Sequence, residues 1–180
     1  MNEITAKRTK IAVFGSAFNP PSLGHKSVIE SLSHFDRILL LPSIAHAWGK
    51  PMLDYDLRCR ILELFIHDLG LNNVYRSTVE EDLYQPGNSV TTFAVLEKIQ
   101  AIYPMAEITF VIGPDNFFSF HKFYKADEIL RKWSVMACPE KVTIRSTDIR
   151  RALQKNHSVC GMTTPSVAAF LQQKKLYTDS

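Results

Sequence analysis

The sequence is poor in cysteine and has no long hydrophobic run. Its 180 residues contain three cysteines, an odd number, widely spaced and without metal-ligand spacing: Cys59, Cys138 and Cys160. This pattern excludes a disulfide framework and predicts reduced thiols in a cytoplasmic protein. The strongest apolar run, residues 38–41, stops at Pro42, whereas a membrane span needs roughly 18 apolar residues. The polar, basic stretch 1–10 does not resemble a signal peptide.

No repeat, low-complexity tract or Gly/Ser linker divides the chain, so we expect one domain over residues 1–180, with its core at about 10–177. The net charge of +3 is unevenly distributed. Residues 141–175 contain seven Lys and Arg against one Asp, a net +6, which leaves −3 for the remainder. This asymmetry indicates a small anionic ligand at one place rather than a nucleic-acid footprint; the alternative is a solvated helix face.

Short β-branched runs alternate with longer helical patterns. The predicted strands are residues 11–14, 37–41, 74–77, 108–112 and 134–137. Helical spacing is found at 57–69, with Asp54 or Asp56 as N-cap and Gly70 as the stop, at 90–103, and after Thr164-Pro165. This alternation predicts an α/β protein with a doubly wound parallel sheet, whose ligands bind beyond the carboxyl ends of the strands at the topological switch point.

The loop after the first strand, residues 15–25, has the composition of a phosphate site. It begins with Gly15, which lets backbone amides approach a phosphate, and ends with His25 at the start of a helix. A protonated imidazole there would stabilise charge in a transition state. The loop has neither the Walker nor the dinucleotide-binding glycine pattern. For Gly15 and Gly24 alone an ordinary turn is the alternative, and for His25 alone a surface or capping histidine.

A second candidate anion site lies at residues 144–153. Ser146 or Thr147 is predicted to cap a helix, with Arg150 one turn further along the same side. A capped helix without a ligand is the alternative, and the basic surroundings favour the anion site.

Together these stretches resemble the nucleotidyltransferase superfamily and, within it, the nicotinate or nicotinamide mononucleotide adenylyltransferases. The resemblance covers about residues 10–177. The opening motif G-x-[small]-F-[DN]-P-x-[HT]-x-x-H is matched at Gly15, Phe18, Asn19, Pro20 and His25. The closing motif I-S-S-T-x-I-R is matched at Ile144, Ser146, Thr147, Ile149 and Arg150. Residues 112–115 are similar to the family's I-G-x-D, and residues 120–124 to its F-x-x-W-Y.

The resemblance implies a Rossmann-like fold and AMP transfer from ATP to a pyridine mononucleotide in NAD biosynthesis, with Mg²⁺ bridging phosphates and no protein metal site. It implies that His25 binds the α-phosphate and that Gly15, Ser16 and Phe18 shape the phosphate pocket. It further assigns Ser146, Thr147 and Arg150 to the β- and γ-phosphates, and Gly113 and Asp115 to the adenosine. The implied partners are small nucleotides, without nucleic acid or membrane; homo-oligomerisation is left open.

For the acceptor, the resemblance points to the loop after the second strand. Lys50 is the candidate phosphate ligand there and Trp48 a candidate stacking surface, with a solvated lysine and a core aromatic as alternatives. Thr92 resembles the threonine that orients the pyridine nucleotide; a buried threonine at the helix start is the alternative. Phe123 occupies the position of the family's tryptophan and is the candidate for stacking on the pyridine ring.

Three features depart from the family pattern. Ser22 replaces the first His or Thr of the opening motif, and its hydroxyl can still donate one hydrogen bond at the reaction centre. Arg145 replaces the first Ser of the closing motif, and the segment between Cys138 and Ile144 is short. Phosphopantetheine adenylyltransferases share the short segment and the hydroxyl at position 22. Against this, Ile149-Arg150 and the ending Leu176-Tyr177 are more typical of the pyridine mononucleotide enzymes. Nicotinate mononucleotide is therefore the expected acceptor, with nicotinamide mononucleotide, phosphopantetheine, or a nucleotide-binding protein with weakened catalysis as alternatives.

Overall fold

The computed structural model describes residues 7–45 and 51–178. Its centre is a five-stranded sheet in the order β3-β2-β1-β4-β5, and every neighbouring pair is parallel. The strands are β1 Lys10–Ser16, β2 Arg37–Pro42, β3 Val74–Arg76, β4 Glu107–Ile112 and β5 Ser134–Ala137. All five lie where the apolar runs predict them, and the predicted doubly wound α/β fold is confirmed.

The connections between the strands are mostly helical. The helices are α1 Leu23–Glu30, α2 Tyr55–Leu69, α3 Val79–Leu83, α4 Thr92–Ile102, α5 Pro114–Phe118, α6 Ala126–Lys132, α7 Ser146–Gln154 and α8 Pro165–Gln173, with a 3-10 turn at Phe120–Lys122. Within the described residues no helix is long and apolar enough to cross a membrane. The three cysteines are free, as predicted.

The sheet has a hydrophobic core on each face because side chains alternate along a strand. On one face Ala12 and Phe14 of β1 pack with residues of α1, α2, α7 and α8. On the other face Ile11 and Val13 pack with residues of α4 and α6. Burial on both faces explains why the central strands β1, β2 and β4 are mostly apolar.

Side-chain caps determine where the helices begin. Asp54 is the N-cap of α2, since its carboxylate accepts the Leu57 N–H at 3.4 Å, and Gly70 ends that helix at φ +64°. The predicted start of α4 at residue 90 is wrong by two residues, because the Thr91 hydroxyl accepts the Ala94 N–H at 3.2 Å and the helix begins at Thr92.

The chain leaves β1 toward β2 on one side and later returns to place β4 on the other side. The strand order therefore reverses at β1, and the loops after β1 and β4 diverge above the sheet. This divergence opens a crevice at the carboxyl ends of the two strands, where α/β proteins of this kind bind ligands.

Candidate active site

A cavity of about 620 Å³ occupies this crevice. Seven residues singled out in the sequence line it: Gly15, Ser16, His25, Gly113, Asp115, Ser146 and Thr147. They come from three separate stretches of the chain. A second cleft, of about 570 Å³, lies at the opposite ends of β4 and β5 and contains none of the predicted site residues. The fold therefore brings the opening, middle and closing motifs together at one place.

The imidazole of His25 is held in one orientation by its own helix. The Ser22 N–H donates to His25 Nδ1 at 3.0 Å, and the His25 N–H donates to the Ser22 hydroxyl at 3.3 Å. Because Nδ1 is an acceptor, the proton of a neutral ring is on Nε2, which lies 3.0 Å from the Ser16 hydroxyl. The ring also packs against Phe18, with centroids 4.8 Å apart. His25 thus presents an N–H donor at the cavity wall beside Ser16.

Burial lowers the pKa of His25 from 6.5 to about 4. Desolvation penalises the charged imidazolium, and the hydrogen bond from Ser22 to Nδ1 requires that nitrogen to be unprotonated. In the protein without a nucleotide, burial therefore favours the neutral ring, whereas the sequence analysis expects a protonated imidazole. The neutral ring offers a phosphate one directed hydrogen bond.

Ser22 and Phe18 lie behind the cavity wall. Ser22 is the N-cap of α1 and is only 1% exposed, so it positions His25 and does not itself line the cavity. Phe18 is also 1% exposed and has a positive φ of 47°, which turns its ring edge-on to Phe14 and against His25. Both residues therefore support the imidazole, and neither lines the cavity.

The start of α7 differs from the prediction. The N-cap is Arg145, whose N–H donates to the Asp148 carboxylate at 2.9 Å, and neither Ser146 nor Thr147 caps the helix. The Ser146 hydroxyl instead donates to the carbonyl of Pro20 at 2.6 Å. Because Asp148 completes the cap, Ser146 and Thr147 form the first turn at the cavity wall.

Arg150 does not line the cavity, but it contacts Thr147, which does, and it joins α7 to the loop after β1. Its Nη1 donates to the Asn19 carbonyl at 2.7 Å, and its Nη2 donates to the Thr147 hydroxyl at 3.2 Å. The side chain of Asn19 accepts hydrogen bonds from the Tyr177 hydroxyl and from the Leu53 N–H. Asn19 therefore connects the guanidinium, the end of the chain and the start of α2.

Gly24 allows the two motifs to touch. Its N–H donates to the Ile144 carbonyl at 3.2 Å, and a Cβ at this position would lie 2.4 Å from that oxygen. The Ser27 hydroxyl on the same helix accepts the N–H groups of Lys141 and Val142 at 3.0 and 3.3 Å. Stretches more than a hundred residues apart thus form one continuous wall. We call the contact of Gly24 with Ile144 the motif junction.

The middle motif forms the facing wall. Gly113 is the N-cap of α5, and a Cβ there would meet nothing within 4 Å, so the backbone is open to the cavity. Asp115 lies in the first turn of α5 with its side chain exposed. An acceptor carboxylate at this position suits the hydroxyl groups of a ribose.

The predicted acceptor residues are less completely assembled. Trp48 and Lys50 fall outside the described residues. Thr92 is the half-buried first residue of α4. Phe123 is half-buried and packs against Phe110, with centroids 6.4 Å apart; the Phe110 ring in turn lies 3.8 Å from the Cβ position of Gly15. Neither Thr92 nor Phe123 lines the 620 Å³ cavity.

The sequence analysis missed Arg58 on α2. Its side chain is buried, and it donates to three backbone carbonyls: Leu53 at 2.8 Å, Ala17 at 2.8 Å and Ile44 at 3.1 Å. We call this arrangement the Arg58 clamp. Buried Glu80 accepts the Ile44 N–H at 3.0 Å on the same side, and desolvation raises the pKa of this carboxyl group. No motif marks Arg58, which has the sequence pattern of a polar residue on an amphipathic helix.

A parallel α/β sheet with a polar cavity at its switch point is the architecture of a nucleotide-binding protein. Comparisons with known proteins agree: residues 13–152 match the family described as cytidylyltransferase-like. This chain belongs to the cytidylyltransferase-like family, which confirms the predicted relationship.

Three relatives define the similarity more closely. A Vibrio parahaemolyticus structure, provisionally assigned as a nicotinate-nucleotide adenylyltransferase, is 64% identical with TM-score 0.83; 91% of this chain and 98% of that chain are covered. A probable nicotinate-nucleotide adenylyltransferase from Caldicellulosiruptor saccharolyticus is 25% identical, covering 94% of this chain and all of that protein. The structure of the nicotinic acid mononucleotide adenylyltransferase of Plasmodium falciparum, complexed with NaAD, has a TM-score of 0.73 at 15% identity. The match covers 94% of this chain and 98% of that chain, and it shows a similarity of fold.

Proposed function

We propose that this protein is an adenylyltransferase that transfers AMP from ATP to nicotinate mononucleotide, giving nicotinate adenine dinucleotide and pyrophosphate in NAD biosynthesis. The motif junction is the observation that supports this most directly, since it places His25 and Ser16 in one cavity wall with Ser146 and Thr147. The names of the relatives identify the acceptor.

The reaction needs no nucleophile from the protein. A phosphate oxygen of the mononucleotide attacks the α-phosphorus of ATP, the new P–O bond forms, and the bond to the bridging oxygen breaks as pyrophosphate leaves with its electron pair. The protein accelerates this step by holding two anions in line and by stabilising charge on the transferred group.

His25 acts on the transferred group. Its Nε2–H, which faces the Ser16 hydroxyl, donates to an oxygen of the α-phosphate when the nucleotide enters. Because Ser22 holds Nδ1, the donor is oriented before the reaction begins and little reorganisation accompanies the transition state. Gly15 and Ser16 form the adjoining wall, with Ser22 and Phe18 fixing the ring.

The pyrophosphate leaving group is held by α7. Ser146 and Thr147 place their amides and hydroxyls at the cavity, and Arg150 has N–H donors beyond the two that it spends on Asn19 and Thr147. A guanidinium matches the geometry of phosphate oxygens. Gly113 and Asp115 on the opposite wall contact the adenosine, with Asp115 accepting from ribose hydroxyls.

Magnesium enters as part of the nucleotide substrate. Among residues 7–45 and 51–178, no group of three or more His, Cys, Asp or Glu side chains is arranged to hold a metal ion. Mg²⁺ commonly keeps several waters and binds through substrate phosphates, so Mg·ATP fits a cavity of this composition.

For the acceptor we propose that Lys50 binds the mononucleotide phosphate, that Trp48 and Phe123 offer stacking surfaces, and that Thr92 orients the pyridine or its ribose. The aromatic group of Phe123, Phe110 and Phe120 next to the end of β1 supports a planar ligand on that side. Small nucleotides, not nucleic acid, are the proposed partners. The cytoplasm is the proposed compartment, which agrees with free cysteines.

The test is pyrophosphate release from Mg·ATP with nicotinate mononucleotide, nicotinamide mononucleotide and phosphopantetheine, each at equal concentration, beside ATP binding by calorimetry. We expect the highest kcat/KM with nicotinate mononucleotide. Turnover with phosphopantetheine alone would refute nicotinate mononucleotide as the acceptor, while AMP transfer from ATP would remain the reaction. ATP binding without turnover on any acceptor would show a nucleotide-binding protein in place of an enzyme.

A further inference from the structure

Arg145 is the cation on the cavity wall that the family pattern does not predict. It lines the cavity next to Ser146 and Thr147, and its side chain is 68% exposed. Its backbone is fixed on both sides: the preceding Ile144 carbonyl accepts from Gly24, and its own N–H donates to Asp148. Arg145 therefore combines a rigid attachment point with a side chain that is free to reorient.

Among the described residues, the side chain of Arg145 forms one ion pair. Its Nε lies 3.7 Å from Oε2 of Glu140, which also lines the cavity. This distance exceeds that of a hydrogen bond, and an ion pair so exposed contributes little to stability. The pair is thus easily separated, and a phosphate with two or more negative charges competes well against one carboxylate.

Glu140 is held close to α1, since its carboxylate lies 3.1 Å from the Cβ position of Gly24. A carboxylate on the wall of a cavity for a polyanion opposes binding unless a cation neutralises it. Asp115 is a second carboxylate, on the facing wall, so the described lining of the cavity contains two acidic groups against one arginine. The charge of Arg145 therefore reduces the repulsion between this lining and the terminal phosphates.

We propose that Arg145 binds the β- and γ-phosphates of ATP and exchanges Glu140 for them when the nucleotide enters. This inference rests on the proposed function only for the identity of the nucleotide. Arg145 is a binding residue for ATP and for the pyrophosphate product, and Glu140 is the counter-ion that holds the guanidinium at the cavity beforehand.

The test compares Arg145→Ser, which restores the residue of the family motif, with Arg151→Ser. The second variant removes the same charge from an exposed position of α7 that does not line the cavity. Calorimetry measures Mg·ATP, Mg·pyrophosphate and AMP binding without acceptor. We expect Arg145→Ser to weaken ATP and pyrophosphate binding by about 5- to 20-fold, the scale of one charge-assisted hydrogen bond, and to leave AMP binding unchanged. Arg151→Ser is expected to change none of them by more than about twofold.

Glu140→Gln gives the converse. Removing the competing carboxylate is expected to tighten ATP binding by about 2- to 5-fold, and Arg145→Lys to retain part of the affinity that Arg145→Ser loses. In steady-state assays we expect Arg145→Ser to raise KM for ATP by a larger factor than it lowers kcat.

Equal ATP affinity in Arg145→Ser and the wild type would overturn the inference. So would an equal loss for AMP, because that result indicates displacement of the wall. Both results come from binding measurements without an acceptor. The proposed function fails by a different result, which is that no product forms with any acceptor tested.

Discussion

On the α1 and α7 side of β1 the polar side chains face a cavity, whereas on the α2 and α3 side they hold the backbone. Ser16, His25 and Thr147 line open space. Arg58 and Glu80 are buried, and their hydrogen bonds are spent on carbonyl and amide groups of neighbouring loops. Polar side chains therefore serve different purposes on the two sides.

This difference separates side chains that are available to a ligand from side chains that hold the loops in position. A group facing a cavity affects binding or turnover when it is removed, while the fold survives. A buried group bonded to several backbone segments affects stability first, because its removal leaves unsatisfied acceptors. The loop after β1 is subject to both effects, since its Ala17 carbonyl accepts from Arg58 and its Asn19 carbonyl accepts from Arg150.

The largest expected effect is at the Arg58 clamp. Arg58→Met leaves the carbonyls of Leu53, Ala17 and Ile44 without their buried donor, so we expect a loss of about 3–5 kcal/mol in the free energy of unfolding. Urea denaturation followed by circular dichroism measures it. Arg60→Met on the same helix is the control, because the exposed Arg60 guanidinium only lies over the Phe170 ring at 5.7 Å. Equal losses of unfolding free energy in the two variants would contradict the stabilising role of the Arg58 clamp.

The next effect is at His25. We expect His25→Ala to lower kcat by about 10²–10³ with a smaller change in ATP affinity, since one preorganised donor to the transition state is lost. His25→Gln keeps an N–H donor and should recover part of the rate. Calorimetry with ATP is run beside the rate assay. A kcat within threefold of the wild type in His25→Ala would show that another group stabilises the transferred phosphoryl.

The motif junction combines the two roles, because it holds two backbone segments together and also forms part of the cavity wall. Gly24→Ala places a methyl group 2.4 Å from a backbone oxygen, so α1 and the Ile144 segment must separate. We expect a loss of about 1–3 kcal/mol in stability, together with weaker ATP binding. Gly113→Ala is the stability control, because its Cβ has no neighbour within 4 Å. Unchanged stability and ATP affinity in Gly24→Ala would refute the close contact.

The last expected effect is a pH dependence of stability. His25 has a pKa of about 4 in the folded protein and about 6.5 when unfolded, so the unfolded chain binds more protons between these values. Stability from this group is present above pH 6.5 and is lost as the pH falls toward 4. We expect the wild type to lose more stability than His25→Gln over that window. An NMR titration that places the imidazole pKa near 6.5 would contradict the buried neutral ring.

The sheet and the family were predictable because each rests on local signals. Apolar runs mark the five strands, and the motifs are contiguous stretches whose order is visible in the chain. The convergence of residues 15–25 with 144–150 follows from that order, and the shared cavity agrees with it.

The details that sequence reasoning missed depend on distant neighbours. Ser146 and Thr147 are good caps by residue type, but the Pro20 carbonyl takes the Ser146 hydroxyl and Asp148 completes the cap. The protonation of His25 depends on desolvation by residues around it, and Arg58 acquires its role from carbonyls in two loops, the one after β1 and the one before α2. Most of these partners are distant in sequence, with Asp148 and Leu53 as the exceptions, so no single local pattern reveals the arrangement.

The motif junction also has a consequence for synthesis of the chain on the ribosome. His25 emerges early, yet the N–H groups of Leu23 and Gly24 bond to the carbonyls of Met162 and Ile144, which are translated more than a hundred codons later. Until that late segment emerges, the start of α1 has water in place of its protein partners. A nascent polypeptide therefore cannot complete this cavity wall until residues 144–162 have left the ribosome.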